Sequence, residues 1–537
     1  MPRSIILRPW QKAALERLAG SRAVDFLAVA TPGSGKTTFA LTAARAALAG
    51  HGASRVVVVV PTAHLKVQWA EAAAALDLHL EPSWSAADGR LPLDFHGVVT
   101  TYQQVATSSS ALRDLAAGGF VVFDEMHHAA DERAWGDALR VAFAGAARRL
   151  ALSGTPFRSD TSPIPFVTYV DGEARPDFEY GYADALVDGG VVRPVYFPRL
   201  DGHMEWTAPD GTLRSHTFDD PLDAAAANQR LRTALSVDGE WLPHVLSQAN
   251  RRLQEMRLGS PRAGGLVIAL DQDHARGVAE LLTHRVGTRA VVATSDDPDA
   301  SARISAFASS DVPWLVAVRM VSEGVDIPRL RVGVFATATT TELFFRQAVG
   351  RLVRWVRGEG RQPAFLYLPD DARLRARAVR IAEARRHSLR GDEGRDRVVA
   401  SDARPPRDAA AGDEQLSLFA PLSATPLGDL DEPRAFWEHD AAPFEPDDTG
   451  TIVELPPLPG RPAPAGGGSE QVRERRKRLR DANAEWARLL SRRTKLTHAQ
   501  VNAELNRLAG VRRVTEATVD QLERRLRAAE RWLASTG

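Results

Sequence analysis

Residues 31–38 read Thr-Pro-Gly-Ser-Gly-Lys-Thr-Thr, and residues 120–128 read Phe-Val-Val-Phe-Asp-Glu-Met-His-His. The first stretch follows an apolar run, residues 26–30, and precedes a helix-forming segment. That strand–turn–helix setting lets backbone N–H groups cradle phosphate. Gly33 and Gly35 allow the main chain to approach an anion closely. Lys36 would reach the outer phosphates, and the Thr37 hydroxyl would hold Mg²⁺. Thr31, Pro32, Ser34 and Thr38 complete the loop; Ala30 stands where the strict pattern has its first glycine. The second stretch drives an apolar strand into two adjacent carboxylates, Asp124 and Glu125, an arrangement that costs free energy unless something neutralises it. A Mg²⁺–nucleotide complex does so: Asp124 holds the metal from a neighbouring strand end, and Glu125 serves as base or orienting group for an attacking water. The alternatives are a plain Gly-rich turn for the first stretch and a His–carboxylate transition-metal site for the second. The second stretch lacks the i, i+4 histidine spacing of a zinc helix.

A third group is Gln347, Arg351 and Arg354, spaced four and three apart, so that one helix face would carry all three. If that face opposes the phosphate loop, Arg351 and Arg354 act as arginine fingers supplied in cis, and hydrolysis requires two domains to close on each other. The alternative is a solvated arginine face. Arginine abundance alone carries little weight, because only 5 of the 68 basic residues are lysine.

Elements that would position these groups are legible as continuous apolar runs. Residues 26–30, 55–60, 96–101, 120–124 and 149–154 form one series, and 265–270, 289–294, 314–318, 331–336 and 363–368 a second. Unbroken rather than alternating runs indicate strands buried on both faces, as in parallel α/β sheets. The expectation is an α/β protein with a first domain over 1–197, a mostly helical connector over 198–262 and a second domain over 263–388. From about 390 the character changes: residues 391–470 carry 17 acidic against 6 basic residues and read as a disordered, acidic, Pro-rich linker over 389–470. Residues 471–537 reverse the sign, with 17 basic against 8 acidic, and the patterns at 497–500 and 518–521 mark helix starts. This is expected to be a small basic helical module adding salt-sensitive affinity for nucleic acid, or else docking on the motor.

The chain has 537 residues and a formal net charge of zero, so bulk charge names no partner. It has no cysteine, which excludes disulfides, thiol catalysis and thiolate metal sites and fits a reducing cytoplasm. The first residues lack a signal-peptide core, and no apolar run approaches the ~18 residues of a membrane span. The expected location is cytoplasmic, at the nucleoid, with no membrane partner.

In their order, these motifs resemble the superfamily 2 DExH-type helicases and translocases, and most nearly the XPB-like group. The resemblance covers about residues 5–370. It rests on Leu-Arg-Pro-Trp-Gln (7–11), the loop at 31–38, the stretches beginning at 59 and 98, Asp-Glu-Met-His (124–127), Ser-Gly-Thr-Pro (153–156), 320–328 and 346–354. It implies two tandem RecA-like domains, ATP and Mg²⁺ as cofactors, and ATP-dependent movement along DNA, with RNA as an alternative substrate. By motif position it implies Gln11 on the adenine edge and Gly324 and Asp326 near ribose or phosphate. His127, Ser153 and Thr155 would couple nucleotide state to the rest of the motor. Thr62, His64, Thr101, Tyr102 and Thr294 would contact nucleic acid. Repair, replication and genome defence are the processes such a motor would serve. The rivals are an ATP-gated scaffold and the motor subunit of a restriction or defence complex. Finally, Gln415, Leu416, Leu418 and Phe419 form an apolar island in the acidic linker. It resembles the pentapeptide with which bacterial DNA-processing enzymes bind the sliding clamp, which makes that clamp a candidate partner.

Overall fold

The computed structural model describes residues 4–86, 91, 95–126, 133–154, 164–170, 173–294, 297, 299–318, 327–356, 358–360, 362–389, 419–431, 450–458, 469–494, 496–511, 514 and 517–535. The strands of its first part are β1 (Ser4–Leu7), β2 (Asp25–Ala30), β3 (Val56–Val60), β4 (Leu80–Glu81), β5 (Gly97–Thr101), β6 (Phe120–Phe123), β7 (Arg148–Ser153), the hairpin β8 (Tyr169–Val170) and β9 (Glu173–Ala174), and β10 (Phe178–Tyr180). Seven of them form one parallel sheet in the order β10-β2-β7-β6-β3-β5-β4. The sequence explains the centre: β3 is five consecutive valines, all buried, and β-branched side chains favour a strand covered on both faces. Helices Lys36–Ala49, Ala63–Ala74 and Tyr102–Ala116 provide cover and begin directly after β2, β3 and β5.

Eight further strands belong to the second sheet: β11 (Val195–Tyr196), β12 (Arg199–Thr207), β13 (Leu213–Thr217), β14 (Gly264–Ile268), β15 (Ala290–Ala293), β16 (Trp314–Ala317), β17 (Leu330–Phe335) and β18 (Ala364–Pro369). Its parallel centre runs β18-β17-β14-β16-β15. Helix Gln272–His284 shows how the cover is specified. Ala275, Val278 and Leu282 recur on one face and are buried, while the Asp271 carboxylate caps the first turn by accepting from His274 N at 2.9 Å. All ten apolar runs in the sequence are strands of these two parallel sheets, the RecA-like α/β arrangement.

Three expectations need correction. Residues 198–262 are not mostly helical: they open with the antiparallel hairpin β12–β13, which joins the second sheet through β18, before helices Ala224–Ala234 and Trp241–Gly259. Alternation explains the hairpin, since Leu200, Met204 and Trp206 are buried on one face of β12. Residues 389–470 are not structureless throughout. A strand β19 (Ala420–Asp431) pairs antiparallel with β12, and β20 (Thr451–Glu454) pairs antiparallel with β1. Each finds its backbone partners in a strand more than two hundred residues away, which composition cannot reveal. The third concerns the helix Glu342–Leu352, which ends before Arg354; that residue instead forms an isolated bridge with Val192.

The basic C-terminal helices Ser469–Thr494, His498–Ala509 and Val519–Ser535 pack around Ala487, Leu490, Val501, Leu505 and Ala529. Arg525 is buried there and donates to the side-chain oxygens of Asn483, Asn502 and Asn506. Among the described residues no helix is long and apolar enough to cross a membrane.

Arg193 ties the segment between the domains to the second sheet. It is fully buried and donates to Gln362 Oε1 at 3.0 Å, Leu330 O at 2.7 Å and Pro328 O at 2.6 Å. Arg193→Met should therefore lower stability by on the order of 3 kcal/mol, because buried acceptors lose their donors. Urea unfolding measures this, and an unchanged midpoint would show the guanidinium to be dispensable.

Candidate nucleotide site

Because β2, β7 and β6 are adjacent and parallel, their C-terminal ends lie side by side. The phosphate loop leaves β2, Gly154 follows β7, and Asp124 and Glu125 follow β6. The metal-holding Asp was expected on a strand next to the loop strand; β7 lies between them, and Gly154 bridges the gap. Lys36 Nζ lies 2.7 Å from Glu125 Oε1, and Gly154 N donates to Glu125 Oε2 at 3.1 Å. A Cβ on Gly154 would come within 3.2 Å of Lys36 Nζ, so glycine keeps this corner open. The expected pairing of Lys36 with the two-carboxylate motif is thus present in the geometry.

Gly33 and Gly35 both have positive φ, 82° and 95°, a conformation that suits glycine. Helix Lys36–Ala49 starts at Gly35, so its first N–H groups face the loop. The Ser34 hydroxyl is buried without a hydrogen-bond partner. Thr31 is buried, whereas Pro32, Thr37 and Thr38 are half-buried around it. Loop curvature, helix N-terminus, one lysine and an unsatisfied hydroxyl together fit a polyphosphate.

Glu125 has φ of +48°, the left-handed region that a non-glycine residue enters at a cost. The turn aims its carboxylate back across β7 at Lys36. Asp124 is buried: its Oδ2 accepts from Trp69 Nε1 at 2.9 Å, and its backbone oxygen accepts from Tyr102 Oη at 2.9 Å. Burial first, then the Glu125 charge, push the Asp124 carboxyl up to about 6, while Lys36 and the Trp69 hydrogen bond oppose them. A divalent cation held by Asp124 and Thr37 would relieve that cost, which is why these residues fit Mg²⁺.

Residues 7–11 grip the loop from outside. Arg8 Nη1 donates to Ser34 O at 2.7 Å and Gly33 O at 3.2 Å, and Trp10 Nε1 donates to Ser34 O at 3.1 Å. Gln11 is buried here with both amide groups engaged: Oε1 accepts from Arg8 N at 2.8 Å and Nε2 donates to Gly35 O at 2.9 Å. The second domain closes the other side. A Cβ on Gly33 would lie 3.2 Å from the Arg354 side chain, and one on Gly350 would lie 2.7 Å from Pro32. The arginine motif therefore packs directly on the phosphate loop. Arg351 and Gln347 are half-buried on the helix that carries Gly350.

Other expected positions divide. Ser153 is buried at the end of β7. Thr62 and Thr101 are half-exposed and His64 exposed, after β3 and β5. Tyr102 and Thr294 do not suit a nucleic-acid contact, being buried with 1% and 4% exposure; Tyr102 instead supports the Asp124 turn. Phe419 is half-buried against the core of the second domain. His127, Thr155, Gly324, Asp326, Gln415, Leu416 and Leu418 lie outside the described residues. Sequence reading missed Arg8 as a loop contact and Trp69 as the donor to Asp124. A tryptophan two-thirds of the way along a short helix reads as core packing, and only its buried N–H, which needs an acceptor, hints at more.

The Asp124 shift has a signed consequence. A carboxyl whose folded value is about 6 against an ordinary 3.8 binds its proton more tightly when folded. Stability from this group is therefore full below about pH 4 and is lost as pH rises through 6. Asp124→Asn cannot ionise. In Mg²⁺-free buffer at pH 7.5 it should exceed the wild type by on the order of 1–3 kcal/mol, a gap that closes towards pH 4. Urea titrations across that range test this; parallel profiles would refute it.

Residues 4–158 match the family described as "Type III restriction enzyme, res subunit". The chain is 49% identical over 393 residues to the uncharacterized protein Rv2917 of Mycobacterium tuberculosis, across 71% of this chain and 64% of that one. It is 48% identical over 390 residues to the uncharacterized protein ML1624 of Mycobacterium leprae, across 71% and 65%. The matched region thus spans just under two thirds of those relatives' own length. Among solved structures, a fragment described as an HsdR subunit of a type I restriction enzyme from Vibrio vulnificus aligns with TM-score 0.49 and 16% identity, over 69% of this chain and 65% of that one. Yeast Dbp5 bound to RNA and ADP-BeF3 aligns with TM-score 0.43 and 13% identity, over 70% and 87%. With the motif order and the two parallel sheets, the match over residues 4–158 makes this a helicase-like ATPase fold of superfamily 2.

Proposed function

We propose that this chain is an ATP-driven DNA motor, a helicase or double-strand translocase of the XPB-like kind, that hydrolyses ATP with Mg²⁺. The observation that carries the reading is the Lys36–Glu125 pair set beside a phosphate loop that Arg354 of the second domain covers. When bound, Mg²⁺–ATP supplies the phosphoryl group and the cation that neutralises its charge. Lys36 then exchanges Glu125 for a phosphate oxygen. Glu125, released, orients the attacking water and accepts its proton. Asp124 and Thr37 hold the metal, and Trp69 fixes the Asp124 carboxylate by one oxygen so that the other is available. Gln11 reads the adenine edge, in addition to bracing the loop. Arg351 and Arg354 stabilise the charge of the transition state, and Gln347 positions the water beside them. Since these groups come from the second domain, turnover is tied to domain motion.

Thr62, His64 and Thr101 lie past the ends of adjacent strands, where small polar groups contact a nucleic-acid backbone without reading sequence. The basic helices would add phosphate contacts. The match to a restriction res subunit favours a second placement, as the motor of a defence assembly in the cytoplasm. A scaffold without turnover would not need Glu125 and both arginines together. Docking of the 415–419 pentapeptide on a sliding clamp would require Phe419 to leave the second domain's core.

ATPase rates compared side by side with single-stranded, duplex and forked DNA and RNA test the substrate class; equal rates with and without every nucleic acid would end the motor reading. Lys36→Ala should abolish hydrolysis by weakening nucleotide binding, whereas Glu125→Gln should keep binding and stop turnover. Arg351→Ala or Arg354→Ala should lower kcat on the order of a thousandfold with little change in affinity. Wild-type kcat in Glu125→Gln would remove it as the base. Removing residues 471–537, which carry 17 basic against 8 acidic residues, should flatten the slope of log affinity against log salt; an unchanged slope assigns that module another role.

A further inference from the structure

We infer that residues 450–458, far along the chain from the first domain, form part of the nucleotide site's support. This rests on the nucleotide-binding reading and extends it to a segment outside the motor motifs. The argument begins with β1. Its strand partner is β20: Ser4, Ile5, Ile6 and Leu7 face Glu454, Val453, Ile452 and Thr451, and the two strands form a sheet of their own. The residues that follow β1 without a break are Arg8, Trp10 and Gln11, which hold the carbonyls of Ser34, Gly33 and Gly35. What orders β1 thus sets where these donors sit.

A second contact meets the same loop from its helix. Arg45, buried on helix Lys36–Ala49, donates to Leu76 O and, at 3.2 Å, to Pro456 O. Leu455 is buried, and Leu458 packs against the first domain's core. One segment of nine residues therefore holds both the strand that leads into the loop's outer grip and the helix that leaves the loop. Without it, the backbone of β1 would lose its ladder and Arg45 one of its carbonyls. Gly450 shows how close the fit is: a Cβ there would meet Ile6 at 2.1 Å.

Support of this kind is reciprocal. If the segment stabilises the loop geometry that binds nucleotide, nucleotide must stabilise the docked segment by the same factor. The test uses the full chain with Ile452→Pro and Val453→Pro together, which removes N–H donors on both edges of β20. Hydrogen exchange without nucleotide should show residues 4–11 losing protection while β3 and β6 keep theirs. Unchanged exchange at 4–11 overturns the inference, and so does general loss of protection in β3 and β6, since the segment would then support the whole domain. Affinity for a fluorescent ADP should fall about tenfold, within the range typical of coupled sites; wild-type affinity overturns it. In the wild-type protein, ADP should slow exchange at 451–454, and no slowing also overturns it. Failure of the wild type to bind ADP would instead count against the nucleotide reading, and the exchange comparison at 4–11 still decides the physical link.

Discussion

A lysine and two adjacent carboxylates cannot share a half-dry strand end unless each has a partner, and the first domain is arranged around that condition. Lys36 meets Glu125, Glu125 meets the backbone of Gly154, and Asp124 meets the indole of Trp69. Each partner comes from a different strand–helix junction. Moving any of the three junctions by a few ångströms would leave a charge buried without compensation, a cost of several kcal/mol. The parallel sheet meets the condition because it brings the C-terminal ends of β2, β7 and β6 to one side. The positive φ of Glu125 is the local cost of turning its side chain towards the loop. Even so, the carboxyl of Asp124 stays well above its ordinary range, so the site retains an unfavourable charge that a cation would relieve.

The second domain meets this site through small residues rather than through charge alone. Gly350 lets its helix approach Pro32, and Gly33 leaves room for the Arg354 side chain. A side chain at either glycine would push the domains apart by about the reach of an arginine hydrogen bond. The segment before the second sheet is fixed to that domain by Arg193 and by the bridge from Val192 to Arg354. The contact with the loop and the join between the domains therefore share neighbouring residues. A change at the loop is transmitted to the join through packed groups and needs no long-range effect.

What could be read from the sequence follows a physical line. The ten central strands were legible because a parallel strand buried on both faces must be apolar throughout, and few other structures need five valines in a row. The loop and the Asp-Glu pair were legible because phosphate and metal chemistry restrict residue type and spacing together. Hairpin β12–β13 was hidden because it alternates polar and apolar residues, diluting its signal in any short window. Tyr102 was misplaced because motif position says which residue is near a strand end and not which way its ring points. β19 and β20 had no local signal at all. Pro421 and Pro426 sit within β19, and what makes it a strand is the edge of β12, supplied by residues 199–207.

That last pair of strands also bears on how a motor could tolerate a tail fastened to both of its halves. β19 is docked on the second domain and β20 on the first, so the chain between them passes from one to the other. A short connection would oppose the opening and closing on which turnover depends. The connection is residues 432–449, which is 18 residues by numbering, and covalent geometry allows such a length to reach roughly 60 Å when extended. Opening a cleft by a few ångströms to tens of ångströms stays within that reach, and the entropy lost on stretching so long a tether part of the way is small. The tail can therefore remain fastened at both points through a cycle. Its effect on the motor is then exerted where it docks, at β12 and beside the phosphate loop, and not by restraining the distance between the domains.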